Sequence, residues 1–469
     1  MAYLLIIVVY SAAQIALGLW VARRVRGSSD FFVAGRRLGP GLLFATFLAA
    51  NIGGGSTIGA TGLGYRDGLA AWWWVGSAGI GSIVLAFWVG PRIRRIAAAH
   101  DLRTVGDFLE WRYDRRVRGV IAALLWMGTL AILAGQFIGL ARVLDAVVGI
   151  PKPVGCLIGG LVVATYFSAG GLLSSAVVNV VQLTVKMVGF FIALPIALQA
   201  VGGFAGLHAR VQDPAMWDPW SHGPSGWVYV AMLMPAFVVS PGLLQKVYGA
   251  KDDRAVRLGV GLNAIGLLAY AAIPPLLGLV ALVLHPGLPN RELALPTLFV
   301  HDVPFWVGGL GLAAVFSAEV SAADTILFML ATSLSQDLYK RFLNPAATDA
   351  QVLRVARAAS LAGGTLGVAL AIVAESITDS LSIFYTLLGV SLFVPVMAGL
   401  YLRRSQPLDA LAAIGGGVAA MIAAQLWNGG KPIGGFTPAM CGLTCAAIAF
   451  ALVALFTPRH GPAAVRAGR

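Results

Sequence analysis

Apolar runs of about twenty residues, parted by short polar stretches, recur along the whole chain. A helix needs about 20 apolar residues to cross a bilayer. The pattern predicts about thirteen such spans, near 2–22, 40–62, 70–91, 119–149, 153–169, 174–200, 226–247, 256–284, 304–336, 352–374, 378–402, 407–426 and 437–457. Two of them are interrupted. The second span carries LAANIGGGSTIGATGLG from Leu48 to Gly64, with glycine at 53, 54 and 55. Each glycine costs a helix interior about 1 kcal/mol relative to alanine, so three in a row predict a break. Irregular backbone inside a bilayer is tolerated where it is buried in protein or lines a polar cavity. A break there offers carbonyls, and the hydroxyls of Ser56 and Thr57, to an ion. The competing reading is a glycine-rich surface for close helix packing.

The second interruption is AMLMPAFVVSPGLLQ, residues 231–245, where Pro235 and Ser240-Pro241-Gly242 stop or kink the helix. The breaks lie five spans apart, and matched interruptions in two halves point to inverted repeats with a site between them. The predicted fold is therefore an all-α polytopic membrane protein with discontinuous helices. The expected division is a peripheral first helix and loop (1–39), a first repeat (40–200), a second repeat (201–403), and two peripheral helices with a tail (404–469).

Composition agrees: 58% of residues are hydrophobic, 11% are charged, and the mean hydropathy is +0.84, outside the range of soluble domains. The net charge of +13 raises the possibility of nucleic acid, but the placement of the basic residues answers it. With the N-terminus outside, 26 of the 33 Lys and Arg fall in segments facing the cytoplasm, including 246–257. That is the positive-inside pattern, so nucleic acid is not an expected partner. It predicts a multi-pass protein of a bacterial-type inner or plasma membrane, with the N-terminus outside and the C-terminus cytoplasmic. Ala2–Ala22, followed by Arg23, Arg24 and Arg26, reads as an uncleaved first span. Cys156, Cys441 and Cys445 all sit in apolar runs and suggest neither disulfides nor zinc. TVGDFLEWRYDRR, within 92–118, predicts a short amphipathic helix on the inner surface. The 201–225 loop, with His208, Trp217, Trp220 and His222, is expected outside as an entrance lid or an interfacial anchor.

Polar residues inside spans carry the candidate chemistry. Span nine holds Glu319 and Asp324, each costing about 2.5–3.5 kcal/mol at a helix centre. On the same span Ala318, Ser321 and Thr325 form a small-residue, hydroxyl-bearing stripe suited to a cation, or to helix packing. In span six, Asn179, Gln182 and Lys186 share one face. A mid-span lysine needs an acidic partner, a wet cavity or a route to the surface; Asp324 and Glu319 are the expected partners. Lys186 is read as standing in for a cation, as carrying a proton, or as snorkelling inward. Trp72, Trp73 and Trp74 are belt residues or a cavity wall, and Gln136 is a further cavity candidate.

The strings AANIGGGSTIGATGLGYRDGL (49–69), SAGGLLSSAVVNVVQ (168–182), QKVYGAKDDRAVR (245–257) and SAADTILFMLATSLSQDLYK (321–340) together resemble the sodium:solute symporter family. The resemblance covers nearly the whole chain. It implies thirteen spans around a five-plus-five, LeuT-like inverted repeat working by alternating access. It implies a Na+ coupling ion, not a tightly bound cofactor, held by carbonyls of Ala49, Ile52 and Ala318 and the hydroxyl of Ser321. Here Ala322 stands where the family commonly has a second hydroxyl, Asn179 replaces the usual aspartate, and Asp324 sits where a small residue is commoner. Asp324, Glu319, Lys186 and Asn179 are thus candidate ion- or proton-coupling residues, with H+ as the alternative to Na+. Asn51, Gly55, Ser56, Trp73, Gln136 and Gln182 are the substrate candidates.

The expected activity is cation-coupled symport of a small organic solute, with the lipid bilayer as the other partner and no catalytic residues. Two alternatives of other classes weigh less. A membrane enzyme needs a cluster of His, Cys or carboxylates, whereas the six histidines lie mostly in loops. A transporter-like sensor normally appends a signalling domain. No GxxxxGK[ST] loop for ATP occurs. Neither the solute nor the oligomeric state is legible.

Overall fold

A computed structural model describes residues 2–22, 34–167, 171–220, 226–427, 429 and 432–457. Arg23, Arg24, Arg26, His222, Lys431, the basic residues beyond 457 and the start of the SAGG string lie outside the described residues. The described chain is helical, with two isolated backbone bridges and no strand. The helices are α1 (Ala2–Ala22), α2 (Pro40–Asn51), α3 (Ile58–Asp67), α4 (Trp72–Val84), α5 (Gly90–Ala99), α6 (Val105–Arg112), α7 (Arg115–Val148) and α8 (Lys152–Phe167). They continue with α9 (Gly171–Ala200), α10 (Gly203–Arg210), α11 (Gly226–Val239), α12 (Pro241–Tyr248), α13 (Asp253–Tyr270) and α14 (Ile273–Leu284). The remainder are α15 (Ala294–His301), α16 (Phe305–Thr332), α17 (Asp349–Val373), α18 (Ile377–Tyr401), α19 (Pro407–Trp427) and α20 (Pro438–Phe456). Among the described residues ten helical segments are long and apolar enough to cross a membrane, and three shorter apolar ones, 2–17, 40–51 and 152–163, accompany them. Ten of these segments are of spanning length, and the three shorter ones fall short of it, so thirteen remains the expected count.

Both predicted breaks are present. Helix α2 ends at Asn51; Ile52 (φ −93, ψ 86) and Gly53 (φ −122, ψ −163) are non-helical, a tight turn follows over Gly54–Ser56, and α3 starts after Thr57 (φ −110, ψ −89). The glycines are needed for close approach. A Cβ at Gly53 would meet Ala322 and the Gln136 carbonyl oxygen, and one at Gly54 would overlap the Glu319 carboxyl. The Ser56 hydroxyl donates to Asn51 O at 2.6 Å and accepts from Gly53 N at 3.1 Å, replacing helix bonds lost in the break. The second break is one residue wide: Ser240 (φ −54, ψ 122) parts α11 from α12, whose first residue is Pro241.

The half-helices on one side of the two breaks are joined. Leu38 N donates to Gly249 O at 2.9 Å, and Lys251 N donates to Leu38 O at 3.0 Å. The start of α2 and the end of α12 are thereby stitched together by backbone. Helix α16 runs through the middle, buried over nearly its whole apolar length, and packs against α2, α7, α9 and α17. Small residues make that burial possible: Ala313, Ala314, Ala318, Ala322 and Ala323 let neighbours approach.

The predicted surface helix is docked more deeply than expected. Thr104 caps α6, and Arg118 at the start of α7 reaches Asp107 at 2.8 Å, Glu110 at 2.9 Å and Asp337 at 2.7 Å. Thr104 Oγ1 also donates to Asp337 at 2.6 Å. On the opposite side, Glu292 accepts the first N–H of α18, from Ile377, at 2.6 Å, with Arg142 3.6 Å away. Burial pushes the Glu292 carboxyl above its ordinary value.

Candidate functional site

The unwound turn between α2 and α3 faces α16, and the residues predicted for an ion cage meet there. Ser321 Oγ lies 2.9 Å from Ala49 O and 3.2 Å from Ala318 O. The cage has an occupant within the chain itself. Lys186 reaches across from α9, and its ammonium donates to Ala49 O at 2.6 Å, to Ile52 O at 3.0 Å and to Ser321 Oγ. Lys186 is wholly buried, so snorkelling is ruled out. Its bonds are also not those expected of a carboxylate pair: they go to the end of α2 and to a hydroxyl, and Glu319 acts on it through space. Burying an ammonium is costly unless its donors are satisfied; three acceptors satisfy all three protons.

Glu319 occupies the neighbouring turn of α16. It is fully buried against Gly54 and Gly139, and neither of its oxygens makes a hydrogen bond among the described residues. Asp324 is nearly buried on the opposite side of the stripe, where its charge acts on a second lysine, Lys246. Counting Lys246 with the cytoplasmic basic residues was therefore an error. It is buried in α12, and its ammonium donates to Thr46 O at 3.0 Å and to Thr325 Oγ1 at 3.4 Å. Asn179 is buried beside it and donates to Thr46 Oγ1 at 2.9 Å.

Next to the break lies a cavity with room for water centres over about 70 Å³. Asn51, Gly55, Ser56 and Gln136, four of the substrate candidates, line it. The Gln136 side-chain oxygen accepts from Gly54 N at 2.9 Å, and Asn51 donates to Asn263 at 3.1 Å. Aromatic residues close the walls: Trp74, Phe237, Phe384 and Tyr385. Among the described residues, no charged side chain contributes to the lining. Two expectations are displaced. Trp73 turns away, donating to Pro219 O at 3.0 Å and packing at a tilt against Trp220, and its neighbour Trp74 faces the cavity. Gln182 is buried outside the lining, its amide without a hydrogen-bond partner among the described residues.

Tyr385, Phe237 and Lys246 were missed for understandable reasons. An aromatic in an apolar run looks the same whether it meets lipid or a solute. Lys246 stands at the edge of a basic loop, and only the one-residue break at Ser240 brings it back inside.

The comparisons agree with this geometry. The profile of the Sodium:solute symporter family matches residues 31–417. The sodium/pantothenate symporter of Escherichia coli K12 is 27% identical over 424 residues, covering 85% of each chain. The human high affinity choline transporter 1 is 24% identical across 92% of this chain and 77% of that protein. The sodium/glucose cotransporter of Vibrio parahaemolyticus is 25% identical across 76% and 72%. Among solved structures, a Na+-coupled sialic acid symporter in a substrate-bound outward-open state superposes with a TM-score of 0.83 at 20% identity, covering 98% of both chains. A nucleobase-cation-symport-1 family transporter in a closed conformation gives 0.58 at 15% identity, covering 93% of this chain and 98% of that one. These likenesses show the LeuT-like fold. The chain thus belongs to the sodium:solute symporter family: it is a multi-pass secondary active transporter that moves a solute together with a cation, sodium being the family's ion, and it is not an enzyme.

Proposed function

We propose that this chain carries a small organic solute, bound in the cavity beside Asn51, Ser56 and Gln136, in cation-coupled symport, and that its family-type sodium cage is filled by the chain's own Lys186 ammonium. The observation that carries the reading is the set of three Lys186 bonds to Ala49 O, Ile52 O and Ser321 Oγ. An ammonium and a sodium ion cannot share one set of oxygens. Ala49, Ile52, Ala318 and Ser321 are the cage, and Lys186, Glu319, Asp324 and Asn179 are the polar groups that set its charge. The relatives' solutes, pantothenate, glucose and proline among them, support a small organic cargo. The uncharged lining favours a solute without net charge, since a buried charge needs a counter-charge.

A second reading, in which a proton replaces sodium as the exchangeable ion, is favoured by the same filled cage. The two are separated in liposomes with a solute panel under imposed sodium or proton gradients, one at a time. Uptake driven by protons alone supports the second reading, and sodium-driven uptake indifferent to an imposed pH gradient overturns it. Uptake that responds to neither gradient overturns cation coupling. The placement of basic segments supports an N-terminus outside and a C-terminus in the cytoplasm of a bacterial-type inner membrane. The breaks, five spans apart, support repeats over 40–200 and 201–403, flanked by 1–39 and 404–469.

A further inference from the structure

Lys186 and Lys246 approach the same two helices from different sides. The carbonyls of Thr46 and Ala49 lie three residues apart on one face of α2, with that of Ile52 just past its end, and Ser321 and Thr325 stand four residues apart on α16. Lys186 bridges Ala49 and Ile52 to Ser321; Lys246 bridges Thr46 to Thr325. The side chains differ in where they are anchored. Lys186 comes from α9, a continuous helix, whereas Lys246 comes from α12, the short half-helix behind the Ser240 break. Helix α12 is stitched to the start of α2 by the Leu38–Gly249 and Lys251–Leu38 bonds. So the Lys246–Thr46 bond lies within one unit, α2 plus α12. The Lys246–Thr325 bond crosses from that unit to α16.

We infer that Lys246 is the latch that holds the α2–α12 unit against α16 and keeps the inner side of the solute cavity shut. Both ends of the unit have a hinge, at 52–57 and at Ser240, so it can swing as a body once the cross-bonds part. The latch lies next to the cavity floor: Thr325, Ser240, Gly242 and Leu243 line it. Thr46, Asp324 and Lys246 are all buried, so solvent does not reach this point from the cytoplasmic side. Opening inward exposes the ammonium to water, which replaces the Thr325 bond. Lys246 is a positioning residue for alternating access; it does not itself line the cavity, and it reaches the lining only through Thr325. The inference rests on the symport reading only in assuming two-sided access.

The test places a single reporter cysteine at Ser240→Cys, with Cys156, Cys441 and Cys445 replaced by serine. Its rate of modification by a membrane-impermeant thiol reagent is then read from each side of oriented vesicles. Lys246→Met is expected to raise the rate from the cytoplasmic side about tenfold and to lower the rate from outside, because a charge-assisted bond favouring the shut state is lost. Thr325→Val, which leaves the lysine in place, is expected to move both rates the same way by a smaller factor, and Lys246→Arg to restore the starting rates. A rise from both sides together marks general loosening and overturns the latch, as do unchanged rates in folded protein. The readout needs neither solute nor coupling ion. Failure of the latch therefore leaves gradient-driven uptake standing, and absence of gradient-driven uptake leaves the labelling result intact.

Discussion

Truncating Lys186 is the most informative single change, because it empties the cage without altering the atoms that form it. The ammonium donates to Ala49 O, Ile52 O and Ser321 Oγ, and bonds to charged groups contribute roughly 1.5–3 kcal/mol each. Their unreplaced loss costs about 4.5–9 kcal/mol, comparable with the whole stability of many domains; water entering the space returns part of it. Lys186→Ala leaves room for a hydrated cation and four oxygens to receive it, those of Ala49, Ile52, Ala318 and Ser321. Sodium at a hundred times its dissociation constant stabilises by about 2.7 kcal/mol. At about 2 °C per kcal/mol for a large chain, the expected sodium-specific rise in Tm is about 5 °C. Thermal unfolding in detergent, with sodium chloride against potassium chloride at equal ionic strength, measures it. The wild type, its cage filled, lacks this increment. Lys186→Met, whose side chain refills the space, lacks it too. An equal sodium shift in wild type and Lys186→Ala refutes the filled cage, and a Lys186→Met variant that transports normally removes any active role for the ammonium.

Three further outcomes follow from the geometry. Gln136→Leu strips the Gly54 N–H of its acceptor at 2.9 Å and is expected to cost about 1–3 kcal/mol, read as a lower Tm together with a raised KM for the solute. Trp74→Ala removes a cavity wall and is expected to raise KM at least about tenfold, whereas Trp73→Ala, which acts on the outer loop, changes it by less than about threefold; uptake kinetics compare them. Glu292 is a carboxyl whose folded pKa lies above its unfolded one, so its contribution is present below the unfolded value of about 4.5 and is lost as pH rises through the folded value. Glu292→Gln is therefore expected to flatten stability against pH above about pH 4.5, and a melting series from pH 4 to 8 checks it.

Most of the architecture was readable because lipid leaves the chain few options: apolar length gave the spans, and Gly53–Gly55 and Ser240-Pro241-Gly242 announced both breaks. The meeting of the proposed cage residues was readable because most of them contribute backbone atoms beside those breaks. Family pattern supplied their positions; the structure brings Ala49, Ala318 and Ser321 together directly and Ile52 through Lys186. What stayed hidden depended on the direction of a side chain. Trp73 and Trp74 are adjacent in sequence and differ by about 100° around the helix, so composition alone does not say which faces the solute. Lys186 was visible as an anomaly, but its acceptors were sought among carboxylates. Helix-end carbonyls, which carry negative partial charge, serve it instead. Lys246 was hidden by its neighbours, since a lysine close to Lys251, Arg254 and Arg257 reads as one more loop cation.

A tethered cation changes what the cage contributes to transport. A free sodium ion that crosses with the solute brings about 2.3 kcal/mol per 100 mV of membrane potential and about 1.4 kcal/mol per tenfold gradient. Together these support roughly 500-fold accumulation. Lys186 cannot leave α9, so it clamps α2 to α16 as an ion would but carries no net charge from one side to the other. The driving force must then reach the solute through another exchangeable cation. Emptying the cage reverses this: in Lys186→Ala a sodium ion bound at Ala49, Ile52 and Ser321 is free to dissociate, and the charge moved per solute should increase by one. Current and labelled-solute flux, recorded on the same vesicles, give that ratio for wild type and variant. If Lys186→Ala binds sodium and the ratio still does not change, the ion at this cage is not part of the transported load, and the lysine stands there for structure alone.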